Sequence, residues 1–341
     1  MSKYSAAFAS PQGPGDARPT ALQIIKDEGL VGKLTNKTVF ITGANQGIGL
    51  ETARALNVAG ATVFLGVRDL KKGQKAIDEI RSSPESNQKA PLHLVEISLD
   101  SLDSVRLAAK ALLANCPKLN ILILNAGVMA TPESQTKDGF ETQLGVNHLS
   151  QFLLFQLLKP ALLDAITPMF NSRVVNLTSM GHRGGEIRFE DINFEEPGSY
   201  DPWVAYGQSK TASIYMANEI EKRYGSRGLH AISVHPDSIA TNLGQYLDPE
   251  VIEVMKKDTS SLRYMSDIPQ GAATSVFAAI SKEWEGRGGR YLAECREQGP
   301  MKAGTSPLSM VDLGYAPWAY DDVKASKLWQ VSCELVGVHD E

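Results

Sequence analysis

The sequence predicts an α/β fold: one doubly wound parallel sheet with helices on both faces. Two observations carry that prediction. Short apolar, β-branched runs alternate with helix-spaced segments from residue 37 onward, and no Pro/Gly-rich linker divides the alternation. A glycine-rich turn, Thr42-Gly43-Ala44-Asn45-Gln46-Gly47-Ile48-Gly49, joins the first such run to the first such helix. Parallel strands need long crossovers, so this alternation specifies a parallel sheet covered on both sides. Ligands then gather beyond the carboxyl ends of the strands, where the topology reverses.

The elements follow in order. Residues 37–41 form a buried strand, and the glycine turn leads into a helix from Leu50. Glycines at a strand-to-helix turn let the backbone approach a phosphate, and the helix N-terminus offers free N–H groups to the anion. Residues 61–65, 92–97, 120–124, 173–177 and 229–234 read as further strands, and 70–81, 102–115, 140–163 and 204–224 as the helices between them. The run at 120–124 is apolar throughout, which implies burial on both faces. Around this single domain, 37–295, lie an N-terminal arm (1–36), an insertion near 183–203 and a C-terminal extension (296–341) packing on the same domain. The first twenty residues, with Pro11-Gln12-Gly13-Pro14-Gly15, read as a loose arm.

Composition narrows the function. A hydrophobic fraction of 43% supports a sizeable core, and a net charge of -5 argues against nucleic acid as the main partner. Three scattered cysteines suit neither a disulfide framework nor a zinc site, and no metal is expected. With no secretory h-region and no apolar run of about 18 residues, the expectation is a soluble, cytoplasmic protein without a membrane span.

Several residues carry chemistry. Tyr206 and Lys210 stand four apart on a helix, which puts them on one face. A cation near a phenol favours the phenolate, so this pair can move a proton. On a surface helix the same spacing would be unremarkable, but here it follows the fifth strand of a nucleotide-binding sheet. Ser179, just past that strand, points a hydroxyl into the crevice and can polarise a carbonyl; a turn serine is the alternative. Asn147 is a poor helix former inside a helix and is able to hold a water chain there.

In this order, with Asn125-Ala126-Gly127 after the fourth strand, these motifs resemble the short-chain dehydrogenase/reductase family over about residues 36–295. Gly127-Val128-Met129, Asn147-His148-Leu149 and Ile187-Arg188-Phe189-Glu190-Asp191 are similar to its retinol-dehydrogenase-like and WW-domain-oxidoreductase-like members. Ala319-Tyr320-Asp321 followed by Leu328-Trp329 resembles fungal ones. The resemblance implies a Rossmann sheet of about seven strands in the order 3-2-1-4-5-6-7. It also implies roles: Tyr206 as general acid or base, Lys210 binding the nicotinamide ribose and lowering the Tyr206 pKa, Ser179 holding the carbonyl, and Asn147 anchoring a proton-relay water.

The expected cofactor site comprises Gly43, Asn45, Gln46, Gly47, Ile48, Gly49, Arg68, Ser98, Leu99, Asn125, Ala126, Gly127, Tyr206, Lys210, Pro236, Ser238, Ile239 and Thr241. Arg68, after the second strand, suits the 2′-phosphate of NADP, whereas the neighbouring Asp69 suits the ribose of NAD; the reading favours NADP. Two positions depart from the family pattern. Ser98 stands where Asp is frequent, and His235-Pro236-Asp237 replaces the usual Pro-Gly, which suggests a differently shaped loop. A lid over 243–269 is expected to close on a lipophilic substrate, with Met180, Tyr200, Trp203, Tyr246, Leu247 and Met255 as its contacts. The activity expected is an NADP(H)-dependent alcohol dehydrogenase or ketone/aldehyde reductase in fungal secondary metabolism. Retinoid or general carbonyl reduction and a catalytically silent NADP-binding regulator are the alternatives. Pairing through helices 140–163 and 204–224 would give a homodimer or homotetramer.

Overall fold

Apolar alternation along the first strand already divides the molecule into two layers. In β1 (Thr38–Thr42), Val39 and Ile41 join one hydrophobic cluster while Phe40 joins the other, on the opposite face of the sheet. The computed structural model describes residues 3–339 apart from 249, 251, 252, 254–256, 258 and 308. Met255, expected at the lid, lies outside the described residues.

The strands are β1, β2 (Thr62–Val67), β3 (Leu92–Glu96), β4 (Ile121–Leu124), β5 (Ser172–Leu177), β6 (Leu229–Val234), β7 (Ser238–Ile239), β8 (Met265–Ser266), β9 (Arg290–Ala293) and β10 (Arg296–Glu297). Eight of them form one sheet in the order β10-β9-β6-β5-β4-β1-β2-β3. All its pairings are parallel except that of β10 with β9. The core order matches the sequence reading, with the antiparallel β10 added at the edge. That edge pair also straddles the boundary at 295/296, so the C-terminal extension begins inside the sheet.

The helices are α1 (Ala21–Asp27), α2 (Gly47–Val58), α3 (Leu70–Ser82), α4 (Leu102–Asn115), α5 (Ser150–Asp164), α6 (Pro202–Tyr224), α7 (Ala273–Ile280) and α8 (Asp322–Val336), besides shorter turns. Four-residue spacing of apolar side chains, with Asp or Ser caps at α3, α4, α6 and α8, explains where these helices start. The helix expected over 140–163 is broken: one α-turn at Thr142–Leu144, then a π-turn at Gly145–Leu149, then α5.

Both termini are docked. The arm that reads as loose buries Tyr4, Phe8, Ile24 and Ile25 in the core. Arg18, also buried, donates to the carbonyls of Gly13, Tyr264 and Met265 and to the Ser266 hydroxyl. Tyr264, Met265 and Ser266 lie some 250 residues away, which is why local polarity misreads the arm. At the other end α8 lies across α5 and α6. Its Trp329 sits edge-on to Phe152 at 4.9 Å and under Arg223 at 4.7 Å, and Ser332 pairs with His148 at 2.8 Å.

Candidate active site

Three glycines build the cradle at the carboxyl end of β1. Gly43 and Gly47 occupy the left-handed region (φ +67 and +57), and a Cβ on Gly49 would overlap the Gly43 carbonyl. The first turn of α2 receives no side-chain cap from Gln46, so its N–H groups remain available to an anion. Asn45, Gln46 and Ile48 lie on this turn, and Gln46 accepts from Asn242 at 2.9 Å. Asn125 braces the cradle by donating to the carbonyls of Thr42 and Gly43 at 2.9 and 3.2 Å. The Thr42 hydroxyl accepts from the backbones of Asn125 and Ala126 and donates to Gln151, which in turn donates to the Ala126 carbonyl. Sequence reasoning missed Gln151; its position four residues after Asn147 was the available signal.

At the end of β2, Arg68 is exposed. Asp69 is engaged: its carboxylate caps α3, accepting from the backbones of Lys71 and Lys72 at 2.8 and 3.1 Å. Those two bonds hold its pKa below the usual carboxylate value. The Ser98 N–H donates to Ser104 and the Leu99 carbonyl accepts from Ser150, which fixes the loop after β3. In the loop after β6, Pro236 leads to Asp237, which takes the left-handed region at φ +70. The turn is thus kept despite the loss of Gly, and the Asp237 carboxylate accepts from Ser266. Ser238 and Ile239 form β7 against β8, and Thr241 caps the turn that follows, its methyl 3.7 Å from where a Cβ on Gly47 would stand.

The residues expected to carry proton transfer converge where β5 ends. Ser179 caps the short turn Met180–Gly184, its hydroxyl accepting from Gly181 at 3.0 Å. A Cβ on Gly181 would stand 2.7 Å from the Tyr206 ring and 3.4 Å from the Ser179 hydroxyl, so this glycine is what lets the two approach. Lys210 Nζ lies 5.7 Å from the Tyr206 ring centroid and donates to the Leu177 carbonyl at 3.1 Å. A Cβ on Gly127 would stand 3.0 Å from Asn147 Oδ1 and 3.4 Å from Lys210 Nζ, which brings the β4 loop into the same group.

Burial and hydrogen bonding bear on two of the expected roles. Burial pushes Tyr206 up to about 12, opposed by the Ser179 hydroxyl, and pushes Lys210 down to about 8. In the protein alone, therefore, desolvation outweighs any lowering of the Tyr206 pKa by the lysine. The Asn147 amide is engaged within the protein. Its Oδ1 accepts from Val128 N–H, and its two N–H bonds go to the Val128 carbonyl and the Ser209 hydroxyl, all within 2.9 Å. Its side chain positions the 125–128 loop, and the surrounding π-turn marks a strained insertion of the kind found at functional sites.

Of the expected substrate contacts, Met180 adjoins Ser179 and Trp203 stands edge-on to Tyr206 at 6.4 Å, 48% exposed. Tyr246, in the segment expected to form a lid, is exposed, and Leu247 packs near Gly244. The Tyr200 hydroxyl donates to the Thr131 carbonyl at 2.8 Å and accepts from Gln143. Among the described residues no cluster of His, Cys, Asp or Glu could hold a metal, and no helix is long and apolar enough to cross a membrane.

The family model described as short chain dehydrogenase matches residues 37–190. Short-chain dehydrogenase/reductase prx1 of Penicillium roqueforti is 46% identical over 338 residues, covering 99% of this chain and 96% of that protein. Retinol dehydrogenase 12 of Mus musculus is 36% identical, covering 91% and 89%. The crystal structure of an uncharacterised protein from Mycobacterium paratuberculosis superposes with a TM-score of 0.66 at 31% identity, covering 92% of this chain and 97% of its own.

Proposed function

Because the chain belongs to the short-chain dehydrogenase/reductase family, a family of oxidoreductases, we propose that it is an NADP(H)-dependent enzyme interconverting a carbonyl and an alcohol on a lipophilic small molecule. The observation that carries this reading is the convergence of Ser179, Tyr206 and Lys210 beside a glycine cradle. NADPH, when bound, supplies the hydride. The cradle at Gly43, Gly47 and Gly49 with the uncapped α2 N-terminus suits its pyrophosphate, and Arg68 suits its 2′-phosphate. The Ser179 hydroxyl donates a hydrogen bond to the substrate oxygen, and Tyr206 gives that oxygen its phenolic proton as the carbon is reduced. Lys210, charged below about pH 8, stands next to the phenolate so formed. Asn147 keeps the 125–128 loop in place beneath this group.

A lipophilic substrate fits the exposed indole of Trp203, edge-on to Tyr206, with Met180 next to Ser179 and the exposed ring of Tyr246 proposed as further contacts. An intermediate of fungal secondary metabolism is the substrate class we favour, the Penicillium relative being a fungal short-chain dehydrogenase/reductase, and the retinol dehydrogenase relative supports adding retinal to the substrates tried. A cytoplasmic setting suits a nicotinamide enzyme with few, scattered cysteines. We place the active form as a monomer rather than the dimer or tetramer expected from the sequence, because α8 covers the α5 and α6 face.

NADPH oxidation against a panel of ketones and aldehydes, retinal included, tests the activity. Tyr206→Phe is expected to lower kcat by about a hundredfold or more. A variant matching the wild type overturns the assigned proton donor, and tight NADPH binding with no turnover across the panel favours the silent regulator.

A further inference from the structure

The turn that carries Ser179 is held from below by a side chain the proton transfer does not use. His182 is fully buried, with Nδ1 2.6 Å from the Ser179 carbonyl oxygen and Nε2 3.0 Å from the Ala316 nitrogen. A backbone N–H can only donate, so Nε2 must be the acceptor. The ring proton then sits on Nδ1 and is donated to Ser179. The imidazole is therefore a two-ended bridge from the main chain of Ser179 to the C-terminal extension.

Neighbouring contacts join the same two segments. Arg183, also buried, donates to the carbonyls of Ser309 and Asp312 at 3.2 and 2.6 Å. The Thr211 hydroxyl, one residue past Lys210, lies 3.1 Å from the His182 carbonyl and 2.6 Å from that of Gly185, and accepts from the Trp318 indole at 3.3 Å. Residues 309–318 thus grip both the Ser179 turn and the helix carrying Tyr206 and Lys210.

We infer that His182 is a positioning residue, a neutral bridge through which the C-terminal extension sets the Ser179 hydroxyl against the substrate oxygen. This rests on the role proposed for Ser179. Burial lowers the His182 pKa to about 4, so the bridge stays neutral under physiological conditions. Its Nδ1–H would be replaced by the amide of Asn at a similar distance from the backbone, whereas Leu removes both ends.

The test measures kcat, KM and NADPH affinity for His182→Leu, His182→Asn, Ser179→Ala and Tyr206→Phe on the same carbonyl substrate. His182→Leu is expected to lower kcat about tenfold or more while NADPH affinity stays within about twofold, and His182→Asn, which keeps the Ser179 end of the bridge but not the Ala316 end, to recover only part of the loss. Full activity in His182→Leu, with Ser179→Ala and Tyr206→Phe impaired, overturns the bridge and leaves the function standing. Full activity in Ser179→Ala and Tyr206→Phe overturns the function itself. Should His182→Leu fail to fold, nitrogen-15 NMR of the wild type decides. A ring protonated at Nδ1 and not titrating between about pH 5.5 and 8.5 supports the bridge, and an Nε2–H tautomer or a midpoint near the ordinary value of about 6.5 overturns it.

Discussion

Arg68 and Asp69 are neighbours in sequence but do different work. Asp69 closes the first turn of α3, so the carboxylate that would have suited NAD is already accepting two backbone bonds. Arg68 has an exposed guanidinium at the same strand end. Arg68→Ala is expected to raise KM for NADPH about tenfold or more and to change KM for NADH little; equal effects would sink the NADP preference. Asp69→Ala should lower Tm through the lost cap without altering the NADPH/NADH ratio. The same scale holds a prediction about acid. His148, His182 and His235 are buried neutral, lowered by desolvation to about 3, 4 and 3, so at pH 5 they gain protons on unfolding. Asp237, raised to about 7 by burial, carries a proton natively and loses it on unfolding, and buried Glu141 is shifted in the same sense. Net uptake of about one to two protons follows, so stability should fall as pH drops below about 6.5, by about 1–3 kcal/mol per pH unit. Calorimetry in buffers of different ionisation enthalpy measures that uptake, and net release at pH 5 would contradict it.

Among the elements, the glycine turn was the most legible, because strand, glycines and helix are contiguous and their spacing states the local geometry. Its glycines are not equivalent. A Cβ on Gly49 meets the Gly43 carbonyl and stands 2.5 Å from Asn125 Nδ2, whereas one on Gly47 meets only Thr241 at 3.7 Å, under a positive φ. Gly49→Ala is therefore expected to cost about 2–3 kcal/mol in stability and most NADPH binding, and Gly47→Ala about 1–2 kcal/mol. Thermal unfolding with and without NADPH separates the two, and equal losses would show that backbone strain rather than overlap dominates. The π-turn at Gly145–Leu149 was illegible, since one widened turn leaves the apolar pattern of 140–163 nearly unchanged. So was β10, whose two residues are too few for a periodic signal.

At the scale of the molecule, the C-terminal helix changes what surface is left. α5 and α6 read as pairing helices, yet Phe152, Phe155 and most of both helices are buried within one chain, partly beneath Trp329 of α8. The wild type is expected to run as a monomer of 37.0 kDa. Ending the chain after Tyr320 uncovers that apolar face and should produce self-association or a marked fall in Tm. Light scattering distinguishes these outcomes, and a wild-type dimer that survives Trp329→Ala would show that copies meet elsewhere.

By itself the sequence determined the parallel α/β class, the glycine turn and a set of residues that the fold brings together, because each depends on residues a few positions apart or on a motif order that one fold accommodates. Tertiary structure alone decided how that site is tuned. The docking of Arg18, the bridge from Ala316 through His182, the closed amide of Asn147 and the opposed shifts of Tyr206 and Lys210 all depend on groups distant in the chain. Burial and long-range hydrogen bonds come into being only when those segments meet, and they set proton affinities that local spacing does not encode.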